Sequence, residues 1–502
     1  KMRMRNLNGK KKKYEKQLRR EEELQKKKRK KAKRRKNREY TIVSYFFVLI
    51  FVSLIVYMGY FNIWERDDII SSPYNSRQNQ AEDRIVRGSI LSADGQTLAY
   101  TQTDSEGNET RVYPYGNMFA HVVGYVSNGK NGLEALANSS LMSTHHEYVD
   151  RIKNEIMDLK NPGDNVVTTL DARLQEVAYN ALGGYNGAVV VMDPQTGAVL
   201  ASVSKPDFDP NTIEADWDTL ANDSTNSSLL NRATQGAYPP GSIFKVVMSL
   251  AYLREHGTLD DFSYDCTGSI TQEGHTIPCF DGEVHGQVDF TTAFAQSCNT
   301  AFVQIGLDLG ADTIQKTAED LLFNKELPIS LDYRKSTIDL KKSEGIPFLM
   351  QSSIGQGTTL VSPMHMAMIT SAVANNGELM KPYYIDHVEN DGGDVIKTTK
   401  PSVYKELMSE SEAQTLKGLM EEVVNSGTGT QLSGESYSAA GKTGSAEYEG
   451  SDGSIRTHSW FIGFSNVDDP DLVVAVIAEG AGTGSRAAVP IAHEIFNAYY
   501  YG

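Results

Sequence analysis

Residues 40–64, YTIVSYFFVLIFVSLIVYMGYFNIW, carry no charged side chain. An apolar helix of about 20 residues spans the hydrocarbon core of a bilayer. A buried core helix is the poorer reading, because the run is too long and is polar on no face. A cleaved signal peptide would need a small-residue cleavage pattern, and NIWERDD follows instead. The run therefore reads as one uncleaved transmembrane anchor, and it divides the chain. Residues 1–39 hold 21 Lys and Arg against five Glu, a net charge of +16, so the −15 of the whole chain leaves −31 for the rest. The basic tail stays in the cytoplasm by the positive-inside rule, which places 65–502 outside the cell membrane. KKKRKKAKRRK in that tail could suggest nucleic acid. Its position directly before a membrane helix argues for a topology signal with some attraction to lipid headgroups, and for no nucleic-acid partner.

Residues 65–160 are polar and broken, and read as a small β-rich spacer or docking module. RIVRGSILSADGQTLAYT (84–101) within it suggests two short strands around an Ala-Asp-Gly turn. From residue 161 the pattern changes. PGDNVVTTLDARLQEVAYNAL (162–182) reads as a strand and an amphipathic helix, and GAVVVMDPQTGAVLASVS (187–204) as a β-hairpin. Helices dominate until about residue 430. Strands return at 437–449, 458–467 and 471–480, and a helix closes the chain. Strands at both ends with helices between predict an α+β domain, 161–502, in which an antiparallel sheet pairs its first and last segments and is flanked by helices with a helical insert.

AYPPGSIFKVVMSL (237–250) sets Ser242 and Lys245 three residues apart, on one face of a helix start. A serine hydroxyl needs an adjacent base, and a lysine becomes one when burial lowers its pKa. Similar pairs occur at Ser127/Lys130, Ser202/Lys205 and Ser402/Lys405. They fall in a Gly-rich loop, in a strand running into Pro206, and near a helix start on its polar side. Only Ser242 combines a forced turn, a helix start and an apolar wall. SCN follows at 297–299 and KTGS at 442–445, whereas Ser224-Thr225-Asn226 comes too early for the middle place.

In this order the three motifs resemble the penicillin-recognising acyl-serine transferases, and the long second interval resembles penicillin-binding proteins rather than compact β-lactamases. RGSILSADGQTLA, GLE (132–134), GQG (355–357) and SPMHMA (362–367) are similar to segments of class B penicillin-binding proteins, so the likeness covers about 84–500. No glycosyltransferase segment precedes the site and no further module follows the closing helix, which suggests the monofunctional class. The resemblance implies a peptidoglycan D,D-transpeptidase acting on D-Ala-D-Ala stem peptides, acylated by β-lactam antibiotics, with no cofactor for the chemistry. Ser242 would be the nucleophile and Lys245 its base. Ser297 would relay the proton, and Asn299 would bridge Lys245 and the substrate. Lys442 and Thr443 would hold the carboxylate, and Gly444 would leave the strand edge bare. The N–H groups of Ser242 and Ser445 would form the oxyanion hole. A multi-pass glycan polymerase is the implied partner.

The alternatives are a membrane-anchored β-lactamase and a β-lactam-binding sensor or scaffold without transpeptidase activity. The first lacks a Glu-x-x-x-Asn soon after the middle motif, since the helical string Glu421–Asn425 comes far too late. A sensor would need a cytoplasmic signalling domain larger than the 39-residue basic tail, and the intact set of three motifs argues against an inactive scaffold. The three cysteines, Cys266, Cys279 and Cys298, fall within 33 residues with His285 among them and His275 in reserve. Three readings stand open: a structural zinc on Cys266, Cys279, His285 and Cys298, a Cys266–Cys279 disulfide, or free thiols.

Overall fold

The computed structural model describes residues 2–61, 84–340, 345–450 and 453–502. One continuous helix, Met2–Tyr60, holds the basic tail and the apolar run. Among the described residues it is the one helix long and apolar enough to cross a membrane. The last residues of the expected anchor, 62–64, and 65–83 beyond them lie outside the described residues.

The described residues from 84 onward form one compact unit. Its centre is a five-stranded sheet in the order Ala439–Glu449, Ile455–Ser465, Leu472–Ala478, Gly187–Met192 and Val199–Lys205, antiparallel throughout. The pairing of Leu472–Ala478 with Gly187–Met192 joins the two ends of the domain, as the sequence predicts. Both faces of this sheet are covered, which is why GAVVVM reads as an unbroken apolar run. Val189 and Val191 pack with Val474 and Val476 beneath the helices Ala172–Leu182 and Ala488–Tyr501. Val190, Met192, Val473 and Ala475 face the opposite way, into the core shared by the helices Lys245–His256 and Pro363–Ala374. Every residue of Pro363–Ala374 is buried.

A second sheet crosses the boundary expected at 160/161. Its order is Val395–Thr398, Ile385–Glu389, Asn165–Thr168, Ile90–Leu91, Thr97–Thr103 and Glu109–Val112. The turn read at Ala-Asp-Gly joins two of these strands. Arg87, in RGS, and Glu134, in GLE, sit under this sheet as a buried ion pair at 2.7 Å, and Arg111 approaches Glu134 at the same distance. Burial alone would raise the Glu134 carboxyl, and the two guanidinium groups hold it below its ordinary value instead.

Two departures from the sequence reading concern short strands. Ser263–Cys266, Ser269–Gln272, His275–Pro278 and Gly286–Asp289 form two small ribbons inside the region read as helical. Ser402 precedes the strand Val403–Glu406 rather than a helix. Four-residue strands with at most one buried side chain leave almost no alternation to read.

Candidate active site

Pro239, Pro240 and Gly241 turn the chain into a short 3-10 segment, Gly241–Phe244, that carries Ser242 and runs directly into the helix beginning at Lys245. Gly241 has φ 55°, and a Cβ there would stand 2.6 Å from Ser445 O. The turn is thereby pressed against the strand Ala439–Glu449. That strand is the edge of the central sheet, with a neighbour on one side only. At Gly444 a Cβ would meet Ile243 Cγ2 and Trp460 Cβ at 3.0 Å. Its bareness lets the nucleophile's turn lie on the strand. The edge is open because no strand among the described residues pairs with it.

Ser297 stands at the end of the helix Phe290–Ala295 with φ 57°. Ser297 N donates to Phe294 O at 3.1 Å and Cys298 N to Ala293 O at 2.8 Å, the bond pair of a Schellman cap. Glycine is usual at that left-handed position, and a serine there costs on the order of 1 kcal/mol. The side chain accounts for its presence. Ser297 Oγ accepts from Lys245 Nζ at 3.2 Å and from Lys442 Nζ at 2.9 Å. Lys245 Nζ also donates to Ser297 O at 2.6 Å and Asn299 Oδ1 at 2.9 Å. The three motifs, spread over 200 residues of chain, thus meet on two ammonium groups.

Both lysines are fully buried, with Phe302 and Phe294 beneath them. Burial lowers Lys245 to about 8, while negative charge on Cys298 or Cys279, as thiolate, would pull the other way. Lys442 lies well below the ordinary lysine value through burial and then the repulsion of Lys245. The pair therefore gives up a proton far more readily than exposed lysines do, which supplies a base beside a serine. Ser242, Ser297, Asn299, Thr443 and Ser445 line a single cleft of about 1140 Å³. Such an arrangement is suited to acyl transfer through serine.

Comparison with known proteins agrees. The chain matches the penicillin binding protein transpeptidase domain over residues 187–497 and the penicillin binding protein A dimerisation domain over 87–166. It belongs to the penicillin-binding protein transpeptidases. It is an enzyme of the acyl-serine type. The peptidoglycan D,D-transpeptidase PbpA of Mycolicibacterium smegmatis is 33% identical over 86% of this chain and 92% of its own. MrdA of Acinetobacter baumannii, also a peptidoglycan D,D-transpeptidase, is 30% identical over 76% of this chain and 65% of its own. The ceftriaxone acyl-enzyme complex of penicillin-binding protein A from M. tuberculosis superposes with a TM-score of 0.77 at 29% identity, covering 84% of this chain and 99% of that one.

The transpeptidase brings none of the other Ser-x-x-Lys pairs to the cleft. Ser202 is buried in its strand, and Lys205 Nζ caps helix carbonyls at Tyr179 and Gly183. Glu421 and Asn425 share the helix Glu410–Asn425, and neither lines the cleft. Thr428 has no signal in the sequence. Its hydroxyl meets Thr443 Oγ1 at 2.6 Å, and its N–H donates to Ala295 O at 3.2 Å, so it ties the helix before Ser297 to the edge strand.

Behind the middle motif, Cys266, Cys279, His285 and Cys298 bring their ligand atoms within 4.8 Å of one another. Cys266 Sγ lies 3.6 Å from Cys279 Sγ and 3.3 Å from His285 Nδ1, and Cys279 Sγ lies 3.8 Å from Cys298 Sγ. All three cysteines are buried thiols. His275 stands in the neighbouring ribbon and lines the cleft.

Proposed function

We propose that this chain cross-links peptidoglycan stem peptides ending in D-Ala-D-Ala, and that β-lactams inhibit it by acylating the same serine. Ser242 Oγ attacks the carbonyl of the penultimate D-alanine while Lys245 takes the hydroxyl proton. The N–H groups of Ser242 and Ser445 receive the oxyanion. Ser297 passes a proton to the departing D-alanine, Asn299 holds Lys245 and the substrate main chain, and Lys442 with Thr443 binds the terminal carboxylate. A primary amine of a second peptide then takes the acyl group from Ser242. The observation that carries this reading is Lys245 Nζ bonded at once to Ser297 and Asn299, both of which line the cleft that holds Ser242. Incubation of the full chain with labelled penicillin is expected to leave one stable adduct on the peptide containing Ser242, located by mass spectrometry. An adduct elsewhere, or turnover at β-lactamase rates, would contradict it.

The helix Met2–Tyr60 acts as a single-pass anchor with the basic tail in the cytoplasm and the enzyme outside. Protease added to intact protoplasts should then digest the large domain and leave only a short fragment; a protected domain would reverse this topology. Residues 65–160 serve as the docking surface for a multi-pass glycan polymerase, which should co-purify with the full chain; its absence from the purified complex would contradict this. The cluster of Cys266, Cys279, His285 and Cys298 holds a structural zinc, which takes no part in the acyl transfer.

A further inference from the structure

Along an antiparallel strand the N–H and C=O of one residue point to the same side, and successive residues alternate. Asn466 N, one residue past the neighbouring strand, donates to Ser438 O at 2.7 Å, in register with the pair Ala439 and Ser465. Even-numbered residues of the edge strand therefore face that neighbour, while Thr443, Ser445 and Glu447 turn their main-chain groups toward the cleft. Glu447 is already occupied. Gln356, from the Gly-Gln-Gly segment, places its two terminal amide atoms 3.0 Å from Glu447 N and 3.3 Å from Glu447 O, and assigning the oxygen to the N–H side and the nitrogen to the C=O side lets Oε1 accept and Nε2 donate. The opposite amide orientation would set like against like at both contacts. These two bonds are the pair that a residue of an adjacent strand would make. The segment is held against the nucleophile's turn, since Gly241 N donates to Gly355 O at 2.9 Å and a Cβ on Gly355 would stand 2.2 Å from Gly241 O.

We propose that Gln356 is a positioning residue for the donor peptide: it occupies the main-chain pairing site of Glu447, so that a bound donor pairs with this edge at Thr443 and Ser445 only. The inference rests on the transpeptidase reading. A donor with its carboxylate at Lys442 and Thr443 and its scissile carbonyl at Ser445 N–H runs antiparallel to the edge strand. Its penultimate residue stands opposite Ser445. The residue two positions nearer its N terminus falls about 6.8 Å further on, opposite Glu447. There the ladder is closed, and the donor's chain leaves the edge. Main-chain recognition is confined to the D-Ala-D-Ala end, and the backbone beyond need not be a regular α-peptide.

The test compares acetyl-D-Ala-D-Ala with acetyl-Ala-Ala-D-Ala-D-Ala as donors for the full chain in detergent, with glycine as the amine that takes the acyl group, following release of D-alanine. The unaltered enzyme should treat the two within about twofold in kcat/KM. In Gln356→Ala the freed groups of Glu447 pair with the longer donor, and the long-to-short ratio should rise roughly fivefold or more, the effect of one or two main-chain hydrogen bonds. Gln356→Ser, too short to reach Glu447, should give the same rise and stands in if the alanine variant does not fold. An unchanged ratio, with both donors slowed alike, overturns the role of Gln356 and leaves only structural support by that segment. Penicillin labelling of Ser242 separates the two levels. Labelling with an unchanged ratio sinks this inference alone, whereas no labelling and no D-alanine release from the unaltered enzyme sink the reading beneath it.

Discussion

Replacing Lys245 with alanine lowers the rate at which penicillin acylates Ser242 by about 10²- to 10⁴-fold, the contribution of a positioned general base, whereas Lys405→Ala leaves it unchanged. Both lysines follow a serine by three residues, so local sequence alone would treat them alike. The surroundings differ. Lys245 is fully buried over Phe302, and desolvation brings it to about 8. Lys405 lies exposed in the strand Val403–Glu406. Burial of a charged amine is unfavourable, so Lys245→Ala should not unfold the protein, although Ser297 and Asn299 lose a common partner. A thermal midpoint within a few degrees of the unaltered protein, together with the slow acylation, would place the loss in the chemistry. Stopped-flow competition with a fluorescent penicillin measures the rate. Equal losses in the two variants would show that the wrong lysine has been assigned.

The long strands and the three motifs were legible because each carries its signal locally. GAVVVM and LVVAVIA are apolar on both faces because helices cover both faces of the sheet, and the order of SIFK, SCN and KTGS survives any folding. What the sequence did not disclose depends on approach through space. Thr428 reaches Thr443 across 15 residues by a single hydroxyl contact. Gln356 imitates a strand with a side chain, which no periodicity records. The second sheet joins 84–112 to 385–398, so a boundary drawn from a change of composition at 160/161 cut through a set of paired strands. In the sequence Gly444 reads as leaving the strand edge bare, with no hint that Ile243 and Trp460 crowd the same position from within the fold.

Protein purified without chelator is expected to contain about one zinc per chain, and removal of that zinc should cost both stability and acylation. Four ligands at about 2.3 Å for sulfur and 2.0 Å for nitrogen, arranged tetrahedrally, stand about 3.8 Å apart between sulfurs and about 3.5 Å between sulfur and nitrogen. The cluster has 3.6 and 3.8 Å for its two close sulfur pairs and 3.3 Å for Cys266 Sγ to His285 Nδ1. A Cys266–Cys279 disulfide would require about 2.05 Å and would leave His285 without a part. The contact between Cys279 and Cys298 lowers the first thiol and raises the second, so without a metal the two share one proton. Four protein ligands leave no open position, so the metal is structural. Its influence on the chemistry runs through the backbone: Cys298 lies between Ser297 and Asn299, and Asn299 Nδ2 donates to Pro278 O, one residue before Cys279, at 3.2 Å. A site filled at 1,000 times its Kd contributes about 4 kcal/mol, so chelation should lower the thermal midpoint by roughly 5 °C or more. Displacement of Ser297 by as little as about 1 Å should slow acylation on the order of 10²-fold. His285→Ala should reproduce both losses, and zinc added back to chelated protein should restore both in the unaltered chain only. Three thiols should titrate after denaturation in chelator. One thiol and no metal would instead leave the disulfide standing, and the close approach of His285 would then be ordinary packing.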